Sequence, residues 1–294
     1  MGYADEEPPP GVDIGKPSVA RIWDYAIGGK NHFAVDRETA AAVQKELPLM
    51  AEAARASRAF LGYSVRMALR QGVRQFLDIG TGLPTTNNVH EVAQGLHPES
   101  RIVYVDNDPS VLLHARVLLN STPEGASDYI HADLRDPGKI LARCAGTLDF
   151  TKPVAVMLVM VLHFVPDEED PWGIVRRLMD GISSTAYLAI SHVGSDIVPE
   201  AARAAADRYN KRSPSDANIH LRSREEVTRF FDQAGAEILG FDASGAAVPG
   251  TGVLTLSEWS QQAGETQAPP GLNGYVGIGR RPASLSRPWT PDAR

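Results

Sequence analysis

The sequence predicts an α/β protein with an open, mostly parallel sheet of seven strands and helices on both faces. Short apolar runs alternate with amphipathic helical patterns, as in successive βαβ units. A glycine turn at residues 80–82 directly follows the first apolar run. The run at residues 152–165 is the most hydrophobic of the chain and is typical of a central strand covered on both faces. The predicted strands occupy residues 73–79, 101–105, 128–132, 152–165, 185–192, 236–242 and 274–279.

Composition narrows the class of protein. The chain has 294 residues, of which 43% are hydrophobic and 22% charged, so it can bury a full core. The formal net charge of −7 argues against a general polyanion-binding surface, and no nucleic-acid partner is expected. The single cysteine, Cys144, excludes an intramolecular disulfide and a zinc site built from several cysteines. We therefore expect a reducing compartment, the cytoplasm, and no metal.

Four segments are predicted along the chain. Residues 1–15 are acidic and rich in proline, which is typical of a disordered tail, and residues 282–294 form a second tail. Residues 16–72 carry helical patterns and form a cap, and residues 73–281 form the sheet domain. The longest apolar stretch, 154–165, is shorter than the roughly 20 residues that a membrane-spanning helix needs, so no membrane contact is expected.

Three helices are expected in the cap. The first ends at Gly28-Gly29, the second is capped by Asp36, and the third covers residues 51–71. The turn between the first two helices is crowded with functional groups. Taken alone, it is equally well explained as a binding loop and as an ordinary interhelical turn.

The glycine turn predicts a nucleoside site. Gly80 and Gly82 lack Cβ atoms, so a ligand can approach the backbone there. Asp106 ends the next predicted strand, at about the distance along the chain where an acid binds a ribose in nucleotide-binding βαβ units. The dinucleotide pattern needs a further small residue, but Thr85 stands there, preceded by Pro84. A nucleotide-dependent oxidoreductase is therefore disfavoured, although it stays an alternative.

Asp78 identifies the type of nucleoside. Its carboxylate stands just before the glycine turn, where it would repel a phosphate but suit a cation or a hydroxyl. S-adenosylmethionine has a sulfonium and no phosphate. Asp78, Gly80 and Gly82 match the first motif of the class I methyltransferases, and the sequence resembles those enzymes at this point. The resemblance implies a Rossmann-like fold with the last strand antiparallel at the edge.

A second resemblance rests on residues 20–38, ARIWDYAIGGKNHFAVDRE. This segment is similar to the signature of the actinobacterial S-adenosyl methyltransferase family, long catalogued as a domain of unknown function, and the similarity extends over about residues 17–281. The resemblance implies a cap that closes over the cofactor. The cap residues that it implies in the pocket are Tyr25, Gly28, Lys30, Asn31 and Phe33.

The methyltransferase resemblance also implies roles for residues after the third strand. Asp133 would accept a hydrogen bond from the adenine amino group, and Leu134 would lie against the ring. Asp133 can instead be read as a turn residue, and Asp108 as a helix N-cap. The start of the helix after the glycine turn would face the carboxylate of the cofactor. The predicted cofactor residues outside the cap are Asp78, Gly80, Thr81, Gly82, Asp106, Asn107, Asp133 and Leu134.

His163 is the candidate catalytic residue. It stands at the far end of the fourth predicted strand, and in the resembling enzymes the residues after this strand border the methyl group. His163 can orient a substrate or accept its proton. A structural histidine that only forms hydrogen bonds is an equally weighted alternative.

These features predict methyl transfer from S-adenosylmethionine, by direct SN2 displacement, to an unidentified small molecule with an O or N acceptor atom. The segment after the fifth strand is expected to wall the acceptor site. The alternative is a non-catalytic sensor or partner protein that binds S-adenosylmethionine or a nucleoside. The sequence leaves the oligomeric state open, with a homodimer as one option.

Overall fold

The computed structural model describes residues 12–118, 121–213, 217–241, 247–250, 252–264 and 268–283. Most of both predicted tails therefore lies outside the described residues. Ten α-helices form in the described part of the chain: α1 (Val19–Ala26), α2 (Ala34–Glu46), α3 (Met50–Arg70), α4 (Val89–Leu96), α5 (Pro109–Leu118), α6 (Pro137–Cys144), α7 (Pro171–Asp180), α8 (Pro199–Asn210), α9 (Arg224–Ala234) and α10 (Leu256–Ala263).

The described strands form one mostly parallel sheet. They are β1 (Gln75–Ile79), β2 (Arg101–Asp106), β3 (Ala126–His131), β4 (Val154–Val159), β5 (Ala186–His192), β6 (Glu237–Phe241), β7 (Ala247–Pro249), β8 (Leu254–Thr255) and β9 (Tyr275–Arg281). The order is β3-β2-β1-β4-β5-β9-β6-β7, and β8 pairs with β9. Strands β1 to β5 are parallel, and β9 is antiparallel to both β5 and β6.

The predicted fold class is confirmed, with two corrections. The sheet has nine strands among the described residues instead of seven, because β7 and β8 are too short to leave a periodic signal in the sequence. The last strand is antiparallel, as expected, but it lies between β5 and β6 and not at the edge. Its place depends on the pairing of distant segments, which local patterns do not encode.

The sheet has a hydrophobic core on each face. Successive side chains of a strand point to opposite faces, so Leu77 and Ile79 pack on one side and Phe76 on the other. The first core is closed by α6, α7 and α9, and the second by α3, α4 and α10. This double burial explains why the central strands are apolar along their whole length.

The fourth strand is shorter than predicted. It ends at Val159, and the chain then turns at Met160, which has φ 57°, into a short 3₁₀ helix, Leu162–Phe164. The apolar run continues past the strand because Leu162 and Val165 remain buried in the core after the chain has left the sheet. Hydrophobicity therefore marks burial here and not strand length.

A buried ion pair organises the cap. Asp36 does not take the N-cap position of α2, which belongs to Phe33; it stands in the first turn of α2 and accepts a hydrogen bond from the Phe33 backbone N–H. The same carboxylate accepts hydrogen bonds from Arg21 Nε at 2.7 Å and from the Ser18 backbone N–H. Arg21 also donates to the backbone carbonyl of Asp13. The ion pair therefore joins α1, α2 and the segment before α1.

The cap packs on the helix that follows β5. Ile22 of α1 and Val43 of α2 share a hydrophobic cluster with Ala205 and Tyr209 of α8. Since α8 starts beyond the carboxyl end of β5, the cap covers the edge of the sheet where the parallel strands end. In open α/β sheets that edge holds the ligand crevice.

Candidate active site

The glycine turn after β1 has the geometry of a ligand-binding loop. Gly80 and Gly82 have positive φ values of 75° and 67°. A Cβ at Gly80 would lie 2.5 Å from Val161 atoms, so packing requires glycine there. A Cβ at Gly82 would meet no atom within 4 Å. The space beside Gly82 is therefore open to a ligand.

Asp106 connects the glycine turn to the end of β2. Its two carboxylate oxygens accept hydrogen bonds from the backbone N–H of Gly82 at 2.8 Å and of Asp108 at 2.9 Å. Burial raises the pKa of Asp106 to about 6, although these backbone hydrogen bonds oppose the shift. Asp106 is the last residue of β2, the position predicted from the sequence.

Asp78 is a buried carboxylate beside the same turn. It is 4% exposed, and among the described residues none donates a hydrogen bond to its carboxylate. Burial, helped by the charge of Asp106, raises its pKa to about 7, while Arg58 acts in the opposite direction. The Thr81 hydroxyl donates to the backbone carbonyl of Asp78 at 3.1 Å and stabilises the turn. Asp78 is thus available to a cation or a hydroxyl.

A cavity of about 470 Å³ lies over this edge of the sheet, within the size range of small-molecule sites. We call it the cofactor cavity. It brings together nine of the residues predicted from the sequence: Asp78, Gly80, Thr81, Gly82, Asp106, Asn107, Asp133, Leu134 and His163.

Asp133 lies on the side of the cofactor cavity formed by β3. It follows the end of the strand by two residues and accepts hydrogen bonds from the Asn107 side chain at 3.1 Å and from the Arg135 backbone N–H at 2.8 Å. Leu134, next in the chain, is buried and supplies an apolar surface. A polar edge and an apolar face at this position match the needs of a nucleobase.

The structure does not bring the predicted cap residues into the cofactor cavity. Its lining includes none of these five: Tyr25, Gly28, Lys30, Asn31 and Phe33. Several have structural contacts instead. The Arg21 guanidinium lies 5.3 Å from the centre of the Phe33 ring, and the Tyr25 ring packs edge-on against His32.

Gly29 of the cap loop packs closely against Asp24. A Cβ at Gly29 would lie 2.1 Å from an Asp24 carboxylate oxygen, and the other oxygen accepts a hydrogen bond from the Asn31 backbone N–H at 2.7 Å. Asp24 is itself buried, which raises its pKa, and it lines the cofactor cavity. The loop therefore supports a cavity residue without lining the cavity.

The cap contributes one face of α1 to the cofactor cavity. Ala20, Trp23, Asp24 and Ile27, the residue after α1, line it at the i, i+3, i+4, i+7 spacing of a helical face, together with Val19 and Arg21. That spacing could have identified the first four from the sequence. The functional groups of the neighbouring loop are more conspicuous in the sequence, and their contact with the cofactor stays a prediction.

Helix α3 supplies two polar groups that sequence reasoning missed. The Ser57 hydroxyl and Arg58 Nε are buried, line the cofactor cavity and have no hydrogen-bond partner among the described residues. Arg58 also donates through its terminal nitrogen to the Asn88 side chain at 2.8 Å. Buried polar atoms without partners are uncommon in native proteins, so these two, which line a cavity, are candidates for contact with a ligand.

The expected role of the next helix is different in the structure. Helix α4 begins only at Val89, after a loop, and the lining of the cofactor cavity does not include its first turn. Asn88 and Glu91 cap this end. The Ser57 hydroxyl and Arg58 Nε, two hydrogen-bond donors without partners among the described residues, come instead from α3. In the sequence, α3 has the pattern of an ordinary amphipathic helix.

His163 lies in the 3₁₀ helix after β4. It is 3% exposed, and its Nδ1 has no hydrogen-bond partner among the described residues. Burial, with smaller contributions from the charges of His192, Arg222 and His220, lowers its pKa well below the usual value. His163 is therefore neutral near pH 7. This environment opposes a lasting transfer of a proton to the ring, and its catalytic role stays a prediction.

Arg222 determines the shape of the loop that carries His163. It is 1% exposed and donates hydrogen bonds to the backbone carbonyls of Leu162 and Val165 and to His192 Nε2. It also pairs with Asp167 at 2.7 Å. A buried arginine with several partners is not apparent in the sequence, where it stands alone between a loop and a helix.

Two kinds of feature are absent from the described residues. No helix among them is both long and apolar enough to span a membrane. Within the same part of the chain, no group of three or more His, Cys, Asp or Glu side chains is arranged to hold a metal ion.

Comparison with known proteins identifies the family. A family model described as S-adenosyl methyltransferase matches residues 5–282. The chain belongs to this family. It is therefore an S-adenosylmethionine-dependent methyltransferase, and the resemblance drawn from residues 78–82 and 20–38 is confirmed. Curated proteins gave no match.

Solved structures agree with the family assignment. A DUF574 family protein from Streptomyces avermitilis has 38% sequence identity and a TM-score of 0.82, over 92% of this chain and 99% of that one. A protein from Thermobifida fusca has 34% identity and a TM-score of 0.80, over 95% and 100%. Both relatives are actinobacterial. An O-methyltransferase family protein from Burkholderia thailandensis, with 14% identity and a TM-score of 0.51 over 85% and 60%, shares the fold alone.

Proposed function

We propose that this methyltransferase moves a methyl group from S-adenosylmethionine to an O or N atom of a small molecule by direct displacement. The observation that carries this proposal is the convergence of the glycine turn, Asp106 and Asp133 on one cavity. The net charge of −7 argues against nucleic acid as the acceptor, as it did from the sequence.

The cofactor cavity fits the nucleoside half of S-adenosylmethionine. The open space at Gly82 leaves room for a ligand against the backbone. Asp106 would accept hydrogen bonds from the ribose hydroxyls with the lone pairs that its backbone partners leave free. Asp133 would accept from the adenine amino group, and Leu134 would cover the ring.

The methionine half finds complementary groups on the opposite wall. Ser57 and Arg58 offer donors without partners, which suit a carboxylate. Asp78 accepts no hydrogen bond from the described residues and suits an ammonium group. Each buried group that lacks a partner would thereby gain one, which is what a site shaped for this ligand requires.

The protein has little covalent chemistry to perform. The cofactor supplies a methyl group that is already activated by the positive sulfonium. The chain has to align an acceptor lone pair with that methyl group and to keep water out. Trp23 of α1 and Ile27, the next residue after that helix, line the cavity on the cap side and serve the second task.

His163 would position the acceptor through a hydrogen bond and would not hold the proton that the acceptor releases. Its neutral ring can accept or donate one hydrogen bond at Nδ1, depending on the tautomer. Protonation would put a positive charge beside Arg222, in a buried place. An acceptor that binds with its lone pair available needs only this positioning.

The proposal is tested by binding and turnover measured separately. Calorimetry should detect saturable binding of S-adenosylmethionine to the full chain. Incubation with a panel of small neutral alcohols, phenols and amines should then yield S-adenosylhomocysteine with at least one acceptor. Absence of saturable cofactor binding would refute the site assignment. Cofactor binding with turnover only on a macromolecule would refute the small-molecule acceptor.

A further inference from the structure

A second cavity, of about 110 Å³, adjoins the cofactor cavity. The two cavities share the lining residues Val19, Trp23, Met160, His163 and Phe164. Met160 has φ 57°, a backbone conformation that residues other than glycine seldom adopt and that is concentrated at functional sites. The junction thus lies where the chain leaves the central strand of the sheet.

Apolar side chains from the cap and from α8 form the walls of the second cavity. Ile22 and Val43 lie on one side, and Ala202, Ala205 and Ala206 on the other. An apolar cavity of roughly 150 Å³ is large enough for benzene. The second cavity is of similar size, so the molecule that enters it has a single ring or a short branched chain at that end.

The lining contains no charged side chain among the described residues: none is Asp, Glu, Lys or Arg. The buried guanidinium of Arg222, which lies close to His163, already donates to Leu162, Val165 and His192. A charged ligand would therefore lose its hydration without gaining a partner, which is strongly unfavourable. The lining is therefore suited to an uncharged molecule.

Asn273 is a polar residue in this largely apolar lining, which also contains His163 and Tyr209. It is 8% exposed, and neither its side-chain oxygen nor its side-chain nitrogen has a hydrogen-bond partner among the described residues. A purely structural void would be expected to be lined by apolar groups or to satisfy its amides. An amide free at both atoms can donate to and accept from one ligand group. His163 Nδ1, at the junction, is a second buried atom without a partner.

We propose that the second cavity is the acceptor subsite and that it selects a small, uncharged, largely apolar molecule bearing a group that both donates and accepts hydrogen bonds, such as a hydroxyl. Asn273 recognises that group. This inference rests on the proposed function, because the acceptor must reach the methyl group at the junction of the two cavities. It adds the chemical class of the acceptor and the residue that selects it.

Four size-matched probes test the selection: benzyl alcohol, toluene, benzoate and benzylamine. Their binding to the full chain, saturated with S-adenosylhomocysteine, is measured by ligand-observed NMR. Benzyl alcohol should bind at least tenfold more tightly than toluene, and the two charged probes should bind at least tenfold more weakly than benzyl alcohol. Equal binding of all four, or tighter binding of a charged probe, would overturn the proposal.

Asn273→Leu separates recognition from folding. An apolar side chain of similar size removes two unpaired polar atoms, so the ligand-free variant should have an unchanged or higher Tm. Its preference for benzyl alcohol over toluene should disappear. If the leucine variant does not fold, Asn273→Ala takes its place in the experiment and should show the same loss of preference. Gln71→Leu, the same kind of change at an exposed position outside both cavities, should keep the preference. A preference retained in a folded Asn273 variant would refute the role of the amide.

Failure of this inference can be told apart from failure of the proposed function. Affinity for S-adenosylhomocysteine is measured in the same samples. If the unmodified protein does not bind S-adenosylhomocysteine, the cofactor site is refuted. Normal affinity with no binding of benzyl alcohol would refute the acceptor subsite alone and leave a closed void in the core.

Discussion

The two cavities meet at one histidine and one strained turn, yet they are built from opposite chemistry. The cofactor cavity is lined by carboxylates, including Asp78 and Asp106, whose pKa values burial raises to about 7 and about 6. The second cavity has no charged side chain in its described lining. We therefore expect affinity for the cofactor to depend on charge and backbone geometry, and the proposed choice of acceptor to depend on shape and on the amide of Asn273.

The fold explains this difference. The cofactor cavity lies at the ends of β1, β2 and β3, where loops expose backbone groups and short polar side chains. The second cavity lies between the apolar faces of α1, α2 and α8. In their described lining, the two cavities share only Val19, Trp23, Met160, His163 and Phe164, so substitutions at the other lining residues of one cavity should leave the other intact.

The largest effect is expected for Gly82→Val. The added side chain would occupy open space in the cofactor cavity, and its φ of 67° is unfavourable for a β-branched residue. Steric conflict of this kind costs about 1–3 kcal/mol and should lower cofactor affinity by about a hundredfold, whereas the backbone strain lowers the stability of the free and the bound protein alike. Calorimetry with S-adenosylmethionine measures the loss.

Gly72→Val is the matched control for this change. Gly72 also has a positive φ, 82°, with no atom within 4 Å of an added Cβ, but it lies outside both cavities. It should lose stability and keep its cofactor affinity. Similar losses of affinity in both variants would show that backbone strain alone, and not a blocked cavity, explains the Gly82 result.

Asp106→Ala should weaken the cofactor about tenfold to a hundredfold. A hydrogen bond to a charged acceptor contributes roughly 1.5–3 kcal/mol. Asp108→Ala is the comparison, because Asp108 caps α5 and binds Ser18 without being assigned a cofactor contact. Binding titrations and Tm measurements on both variants separate a loss of cofactor affinity from a loss of stability. A larger loss of affinity in the Asp108 variant would contradict the ribose assignment.

Cofactor affinity should fall as the pH is lowered below about 6. Asp106 must be ionised to accept the ribose hydrogen bonds most strongly, and its pKa in the free protein is about 6. Below that pH, binding has to release a proton, so the affinity should fall by up to about tenfold per pH unit. Titrations between pH 8 and pH 5 test this. A flat profile would mean that the carboxylate is not used.

The stability of the free protein should respond to pH in the opposite direction. The pKa values of Asp78 and Asp106 are raised from 3.8, so the folded state holds these protons more tightly than the unfolded chain. Their contribution to the free energy of unfolding is fully present below about pH 4 and is lost as the pH rises through 6 and 7. The increase in Tm caused by saturating cofactor should therefore be larger at pH 8 than at pH 5.5.

The smallest effect is expected for Lys30→Ala. Lys30 is exposed and lines neither cavity, although the family resemblance suggested it as a pocket residue. Its removal should change cofactor affinity by less than about twofold, as surface charges contribute little. Calorimetry on the variant measures this. A tenfold loss of cofactor affinity would show that the cap loop contributes to the cofactor site and that the two cavities alone do not account for binding.

The sequence alone determined the parts of the site that depend on neighbours along the chain. The Asp78-to-Gly82 turn and Asp106 at the next strand end are short patterns whose geometry follows from local backbone requirements. The alternation of apolar runs and helical patterns likewise determined the fold class. Parallel strands that end at one edge then bring Asp133 to the same cavity.

The tertiary structure alone decided the features that depend on distant segments. Arg58 and Asn273 resemble ordinary polar residues in the sequence, and they become candidate ligand groups only because the fold buries them beside cavities without partners. The face of α1 that meets the cofactor cavity, and the place of β9 inside the sheet, are also set by packing. Burial is a property of the assembled chain, so a local pattern cannot encode which polar atoms lose their water and which helix face closes a site.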